Sequence, residues 1–150
     1  MTEPIRFPDV PVYQGWGAPV RLESELRDLE VVAGAVPEDL NGTLYRCGPD
    51  PQYPPMLGDS VFIDGEGLAC MFRFDHGHVD FRSRYIRNER FTLQEKARRS
   101  LFGRYRNRYT DDASVAGKNR GTANTNAIWH GGKLLILKDD SLPWQVDPDT

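Results

Sequence analysis

The sequence predicts an all-β protein, and three observations carry that reading. Glycine and proline supply 14 and 11 of the 150 residues, a density of turn formers that interrupts long helices. Short runs of strand-forming residues recur between turn dipeptides such as Asp-Gly and Gly-Gly. Only one stretch, LQEKARRSLFGRY at 93–105, combines good helix formers with a glycine stop.

Residues 1–27 carry Pro4, Pro8, Pro11 and Pro19 with Gly15 and Gly17. That pattern excludes a long helix and suggests an extended arm lying on a domain that occupies 28–150. Leu29, Val31 and Val32 suit a first strand, PEDLNG a turn, and GTLYRCG a second strand, followed by the rigid loop GPDPQYPP. SVFIDGEGLACMFRF reads as a strand, an Asp64-Gly65 turn and another strand. MFRF-DHGH-VDFRSRYI repeats the design, with Val79, Phe81, Ser83 and Tyr85 on one face. AIWH-GG-KLLILK does so a third time.

Between them, RNRYTDDASVAGKNRGTANTN is long, polar and rich in turn formers, and loops of that length are usually functional or disordered. The final VDPDT places an Asp-Pro turn where a further strand should begin, which suggests an incomplete domain.

Composition narrows function mainly by exclusion. A net charge of −3 gives no overall pull toward nucleic acid or anionic lipid. MTEPIRFPDV lacks the apolar core of a signal peptide, and no run approaches the ~20 apolar residues of a membrane span. A cytoplasmic protein is expected. Cys47 and Cys70 fit no C-x-x-C spacing and read as buried free thiols.

His76 and His78 could begin a metal site, but they sit at a turn and lack a nearby third ligand; His130 stands beside the Gly-Gly turn. All three read as structural. From Arg82 to Arg108 ten basic residues face two glutamates, interleaved with aromatics, a texture seen in single-strand nucleic-acid platforms. In a chain of negative net charge a solvated face is the simpler reading, so no nucleic-acid partner is expected.

What remains is DGEG at 64–67, GTANTN at 121–126 and Lys138. In LLILKDDSLPW, strand alternation puts Lys138 on the side of Leu134 and Ile136. An ammonium there either reaches water at the strand end, loosely paired with Asp139 or Asp140, or meets a ligand anion. Spacing alone leaves both open.

Four blocks in order, NGTLYRCGPDPQYPP, FIDGEGLACMFRF with FRSRYIRNERF, SLFGRYRNRYTDDASVAG and GTANTNAIWHGGKLLILKDDSLPWQVDP, resemble the carotenoid cleavage oxygenases, and within them the lignostilbene dioxygenase branch. The resemblance implies a seven-bladed β-propeller of four-stranded blades, of which 150 residues would make about three. It implies an Fe(II)-dependent dioxygenase that cleaves a conjugated C=C bond of a phenolic stilbene or 4-alkenylphenol to aldehydes. Rival readings are carotenoid or apocarotenoid cleavage and a non-enzymatic β-rich binding module. The iron ligands of the family would fall beyond residue 150, and none of the three histidines here matches them. This portion alone should therefore be inactive, and its open sheet edges should make it prone to aggregate. The partners implied are a small phenolic alkene and dioxygen, with a homodimer left open and no membrane.

The resemblance also assigns substrate-binding residues. The branch's tyrosine and lysine for a substrate 4-hydroxyl fall on Tyr105 and Lys138, and its wall residues near the turn on Phe62 and Ile63. The departures are RCGPDP, with Cys47 and Asp50, GEGL, and Cys70. Isoleucine at 63, in place of the branch's usual phenylalanine, favours a smaller alkenylphenol.

Overall fold

The computed structural model describes residues 4–150, so the first three residues of the expected arm lie outside the described residues. Two antiparallel sheets are built from seven strands. The first contains β1 (Ser24–Leu26), β2 (Gly42–Asp50), β3 (Glu66–Asp75) and β4 (His78–Tyr85), in the spatial order β1-β4-β3-β2. β5 (Asn126–His130), β6 (Lys133–Lys138) and β7 (Ser141–Val146) form the second, in that order. The one α-helix among the described residues, α1 (Glu89–Ala97), lies between them in sequence.

Two of the expected hairpins form. His76 and Gly77 both take positive φ (46° and 87°) at the β3–β4 turn, as do Gly131 and Gly132 (57° and 74°) at the β5–β6 turn. Positive φ at both central residues matches the twist of the flanking strands, which is why these dipeptides close hairpins.

The third expectation fails. Asp64-Gly65 is no hairpin turn, and the SVFI residues before it form no strand; β3 begins at Glu66 and pairs with β2, from Gly42↔Phe74 to Asp50↔Glu66. Gly65 is needed for closeness rather than for a turn. A Cβ there would stand 2.7 Å from the Asp50 amide nitrogen and 2.9 Å from the Pro51 ring.

Other expectations are also corrected. Leu29, Val31 and Val32 form no strand, and Val31 and Val32 are exposed. The helix starts at Glu89 because the Asn88 side chain accepts the Phe91 amide at 2.8 Å, and it stops at Arg98 in the left-handed conformation rather than at Gly103. β7 was not anticipated because it contains Pro143; as an edge strand it tolerates a residue without an amide donor. Length suggested about three blades, yet the described residues form two sheets, because residues 86–125 go to α1, two short 3-10 turns and loops.

The 106–126 segment is built from short turns that pack on the rest of the chain. Asn107 and Asp112 cap 3-10 turns at Arg108–Thr110 and Ala113–Val115, and Val115 packs with Leu101, Phe102 and Leu93. At its end Ala123 joins Ile86 and Ile136 in a core that Cys47, Ala69, Ala127, Trp144 and Val146 complete. Side chains from both sheets meet there, so this core joins the two sheets. β2 runs beside β5, and the Gly67 amide donates to the Thr122 carbonyl at 3.1 Å. Gly67 is obligatory at that seam: a Cβ would lie 1.9 Å from the Ala123 carbonyl oxygen.

Candidate substrate-binding site

β6 alternates as its sequence requires. Leu134, Ile136 and Lys138 face inward and are buried, with Lys138 only 7% exposed. Its Nζ donates to the Ile63 carbonyl at 3.2 Å and lies 5.3 Å from the centre of the Tyr105 ring. Among the described residues no carboxylate comes within 4.0 Å of it. The solvated strand end is thereby excluded, and so is a pair with Asp139 or Asp140. Asp140 faces Arg106 instead, at 3.7 Å, and Asp139 lies beyond the end of β6 in the turn that leads to β7. An ammonium has three N–H donors, and one carbonyl uses only one of them.

Tyr105 is half-buried. Burial and then the neighbouring Asp140 carboxylate push its phenol above the ordinary tyrosine value, so it stays protonated and able to donate at neutral pH. Arg106 also stands over its ring, at 5.9 Å from the centre.

The Ile63 carbonyl that Lys138 meets also accepts a second buried donor. Asn124, 2% exposed, donates from Nδ2 to the Ile63 carbonyl at 2.9 Å and to the Gly65 carbonyl at 2.6 Å. Between them, the Asp64 carbonyl accepts from Arg90 at 3.1 Å. Arg90 is itself buried and forks onto Asp64 Oδ1 at 3.1 Å and Glu66 Oε1 at 3.0 Å, over the Phe102 ring. The Gln52 backbone N–H donates to Glu66 Oε2 at 2.8 Å, and the Gln94 side chain donates to Oε1. Burial pushes the Asp64 carboxyl above the usual range, and Arg90 pulls against that shift.

The four residues assigned by resemblance are therefore not all brought together. Lys138, Tyr105 and the backbone of Ile63 meet. Phe62 does not join them: it is exposed, stacks edge-on with Trp16 at 5.4 Å, and lines a separate cavity of about 300 Å³ with Tyr13, Asp64, Arg90 and Phe102. Sequence reasoning missed Asn124, Arg90 and Glu66. DGEG and GTANTN stood out but carried no role, because a buried network is invisible until its partners, 24 to 61 residues apart, are placed.

Other candidates resolve structurally. Asp50 accepts the amides of Val20 and Arg21 at 2.6 and 2.8 Å and the Tyr85 hydroxyl, anchoring the N-terminal segment. Burial pushes the Cys47 thiol up to about 12, which rules out a thiolate nucleophile. Seven of the ten basic residues from 82 to 108 meet carboxylates, including Arg82 and Arg84 on Glu25 and Arg99 on Asp112, so most of that stretch is internally neutralised.

The histidines do not fit the iron that the resemblance implies. His76 Nδ1 lies 2.6 Å from Asp75, His78 Nδ1 lies 2.8 Å from Asp28, and His130 ends a strand of the other sheet. Among the described residues no three of His, Cys, Asp or Glu converge on a point that could hold a metal. No described helix is long and apolar enough to cross a membrane.

The profile of the retinal pigment epithelial membrane protein family, RPE65, matches residues 17–150. The chain belongs to that family, which comprises the carotenoid oxygenases. It is 52% identical over 132 residues to an isoeugenol monooxygenase of Pseudomonas nitroreducens, covering 88% of this chain and 27% of the relative. A lignostilbene-alpha,beta-dioxygenase isozyme III of Sphingomonas paucimobilis is 47% identical, over 96% of this chain and 29% of the relative. The crystal structure of Pseudomonas brassicacearum lignostilbene dioxygenase superposes with a TM-score of 0.93 at 46% identity, covering 98% of this chain and 30% of that one. The chain thus spans less than a third of the length of these relatives.

Proposed function

We propose that the chain is the N-terminal portion of an oxygenase that cleaves the C=C bond of a phenolic stilbene or 4-alkenylphenol to aldehydes, and that Lys138 and Tyr105 receive the substrate's 4-hydroxyl as a phenolate. The observation that carries this reading is Lys138: a buried cation with one carbonyl acceptor, a tyrosine face, and no carboxylate among the described residues. Buried charges persist when something pairs them, and an anionic ligand oxygen would use the free N–H groups. The names of the relatives, isoeugenol monooxygenase and lignostilbene dioxygenase, point to substrates of that chemistry.

The energies are of the right size. A phenol has a pKa near ~10, so ionising it at pH 7 costs about 4 kcal/mol. A hydrogen bond from a charged donor contributes ~1.5–3 kcal/mol and a neutral one ~1. The ammonium and the protonated Tyr105 phenol together supply most of that amount. Ionisation enriches the para alkene in electrons, which favours attack by an electrophilic oxidant.

Under this reading the two sheets are blades of a seven-bladed propeller, and the iron ligands lie beyond residue 150. The setting is cytoplasmic, in keeping with two cysteines that stay free. The test compares turnover of a 4-hydroxystilbene with its 4-methyl ether in the full-length protein. A strong preference for the free phenol is expected. Equal rates would reject the phenolate and favour carotenoid-like cleavage, which needs no anion.

A further inference from the structure

We infer that Asn124 is a positioning residue for Lys138: by sharing the Ile63 carbonyl with it, Asn124 fixes where the ammonium points and so where a substrate anion is received. The inference rests on the phenolate reading above and deepens it.

Three successive carbonyls, at 63, 64 and 65, all accept buried side-chain donors. Asn124 Nδ2 spends both N–H groups on the outer two, which leaves no ambiguity about its amide orientation, since both partners are acceptors only. Lys138 then has a fixed acceptor for one of its N–H groups, and tetrahedral geometry at Nζ constrains the other two. A lysine stem has four rotatable bonds and is poorly ordered without such a tether. Asn124 lies in the segment that carries Ala123 into the core between the sheets, so the tether is referred to that packed core.

Without Asn124, residues 63–65 would lose two of their anchors, and Ile63 and Phe62, already exposed at 40% and 52%, would be free to move. Lys138 would keep its charge and lose its aim. That separates positioning from simple charge supply.

The experiment measures ionisation of a bound, non-reacting phenol in the full-length protein. The probe is 4-hydroxybenzaldehyde, whose phenolate absorbs to the red of the neutral form, titrated with pH on wild type, Lys138→Met and Asn124→Ala. Binding of 4-methoxybenzaldehyde serves as the uncharged control. Wild type should lower the apparent pKa of the bound phenol, and Lys138→Met should abolish that shift. Asn124→Ala should lose most of it and bind the phenol about tenfold more weakly, with the methyl ether changed little. Asn124→Ser, which keeps one donor, should fall between and serves if the alanine variant does not fold.

If Lys138→Met retains the wild-type shift, the phenolate reading itself fails. If Lys138→Met loses it while either folded Asn124 variant keeps it in full, the positioning role alone fails. A crystal structure of the unaltered protein with the phenol bound would overturn it equally, should Nζ have left the Ile63 carbonyl.

Discussion

Replacing Lys138 by methionine should separate stability from activity. The side chain lies on the inward face of β6 with Leu134 and Ile136, 4% and 1% exposed, so an unbranched apolar residue of similar length suits the site. The change leaves no acceptor stranded, because the Ile63 carbonyl keeps the Asn124 amide at 2.9 Å. Removing a buried cation that is short of partners is neutral or stabilising by about 1 kcal/mol. Thermal unfolding of the full-length variant should therefore match or slightly exceed wild type. Catalysis should move the other way. Under the phenolate proposal, losing a charge-assisted hydrogen bond of ~1.5–3 kcal/mol should lower kcat/KM about 10- to 150-fold. The 4-methyl ether has no anion to lose and should change less than about threefold. The assay follows aldehyde formation from both substrates at pH 7. Equal losses on the two, or no loss on the phenol, would refute the reasoning; so would a large drop in melting temperature, which would show Lys138 to be a structural tether instead.

Three further outcomes follow from the same geometry. Gly67→Ala should destabilise the full-length protein by on the order of 3 kcal/mol or more in denaturant titration, because its Cβ would overlap the Ala123 carbonyl and force the sheets apart. Arg90→Met should cost about 3–5 kcal/mol at neutral pH by leaving the Asp64 and Glu66 carboxylates buried without their cation. That penalty should shrink in acid, since the Asp64 carboxyl is already raised by burial and its protonated form gains as pH falls; melting at pH 5 and pH 8 checks the sign. Asp112 behaves oppositely. The Ser114 hydroxyl and amide, then Arg99, hold its carboxyl below the usual value of 3.8, so the order it gives to the Ala113–Val115 turn is present above that pH and lost as pH falls through the depressed value. Amide exchange at Ser114 should accelerate in acid in wild type and become pH-insensitive, beyond the intrinsic rate, in Asp112→Ala.

The legible parts of the fold were those whose signal is local. The turns at 76–77 and 131–132 demand positive φ at two adjacent residues, and the sequence shows it directly in His-Gly and Gly-Gly. Asp64-Gly65 carries the same local signal and misled, because its partners are distant: Arg90 for the carboxylate, the Asp50–Pro51 backbone for the glycine. β7 was hidden by Pro143, since nothing local tells an edge strand from a loop. In the site, alternation put Lys138 on the side of Leu134 and Ile136 but left water or an anion open as its partner, and the proposed partner came from the resemblance. Ile63 acts in the structure through its carbonyl, which every residue possesses, so no substitution pattern at 63 could have announced that contact.

The pairing of β1 with β4 has a consequence for synthesis. Ser24 leaves the ribosome 59 residues ahead of Ser83, to which it is hydrogen-bonded in the finished sheet. At ~5–20 residues per second the emerging strand waits roughly 3–12 s for its mate, with β2 and β3 produced in the interval. The nascent chain must therefore keep that leading segment from annealing to the wrong border, and a slower stretch of codons after β4 would give the late zipper time to close.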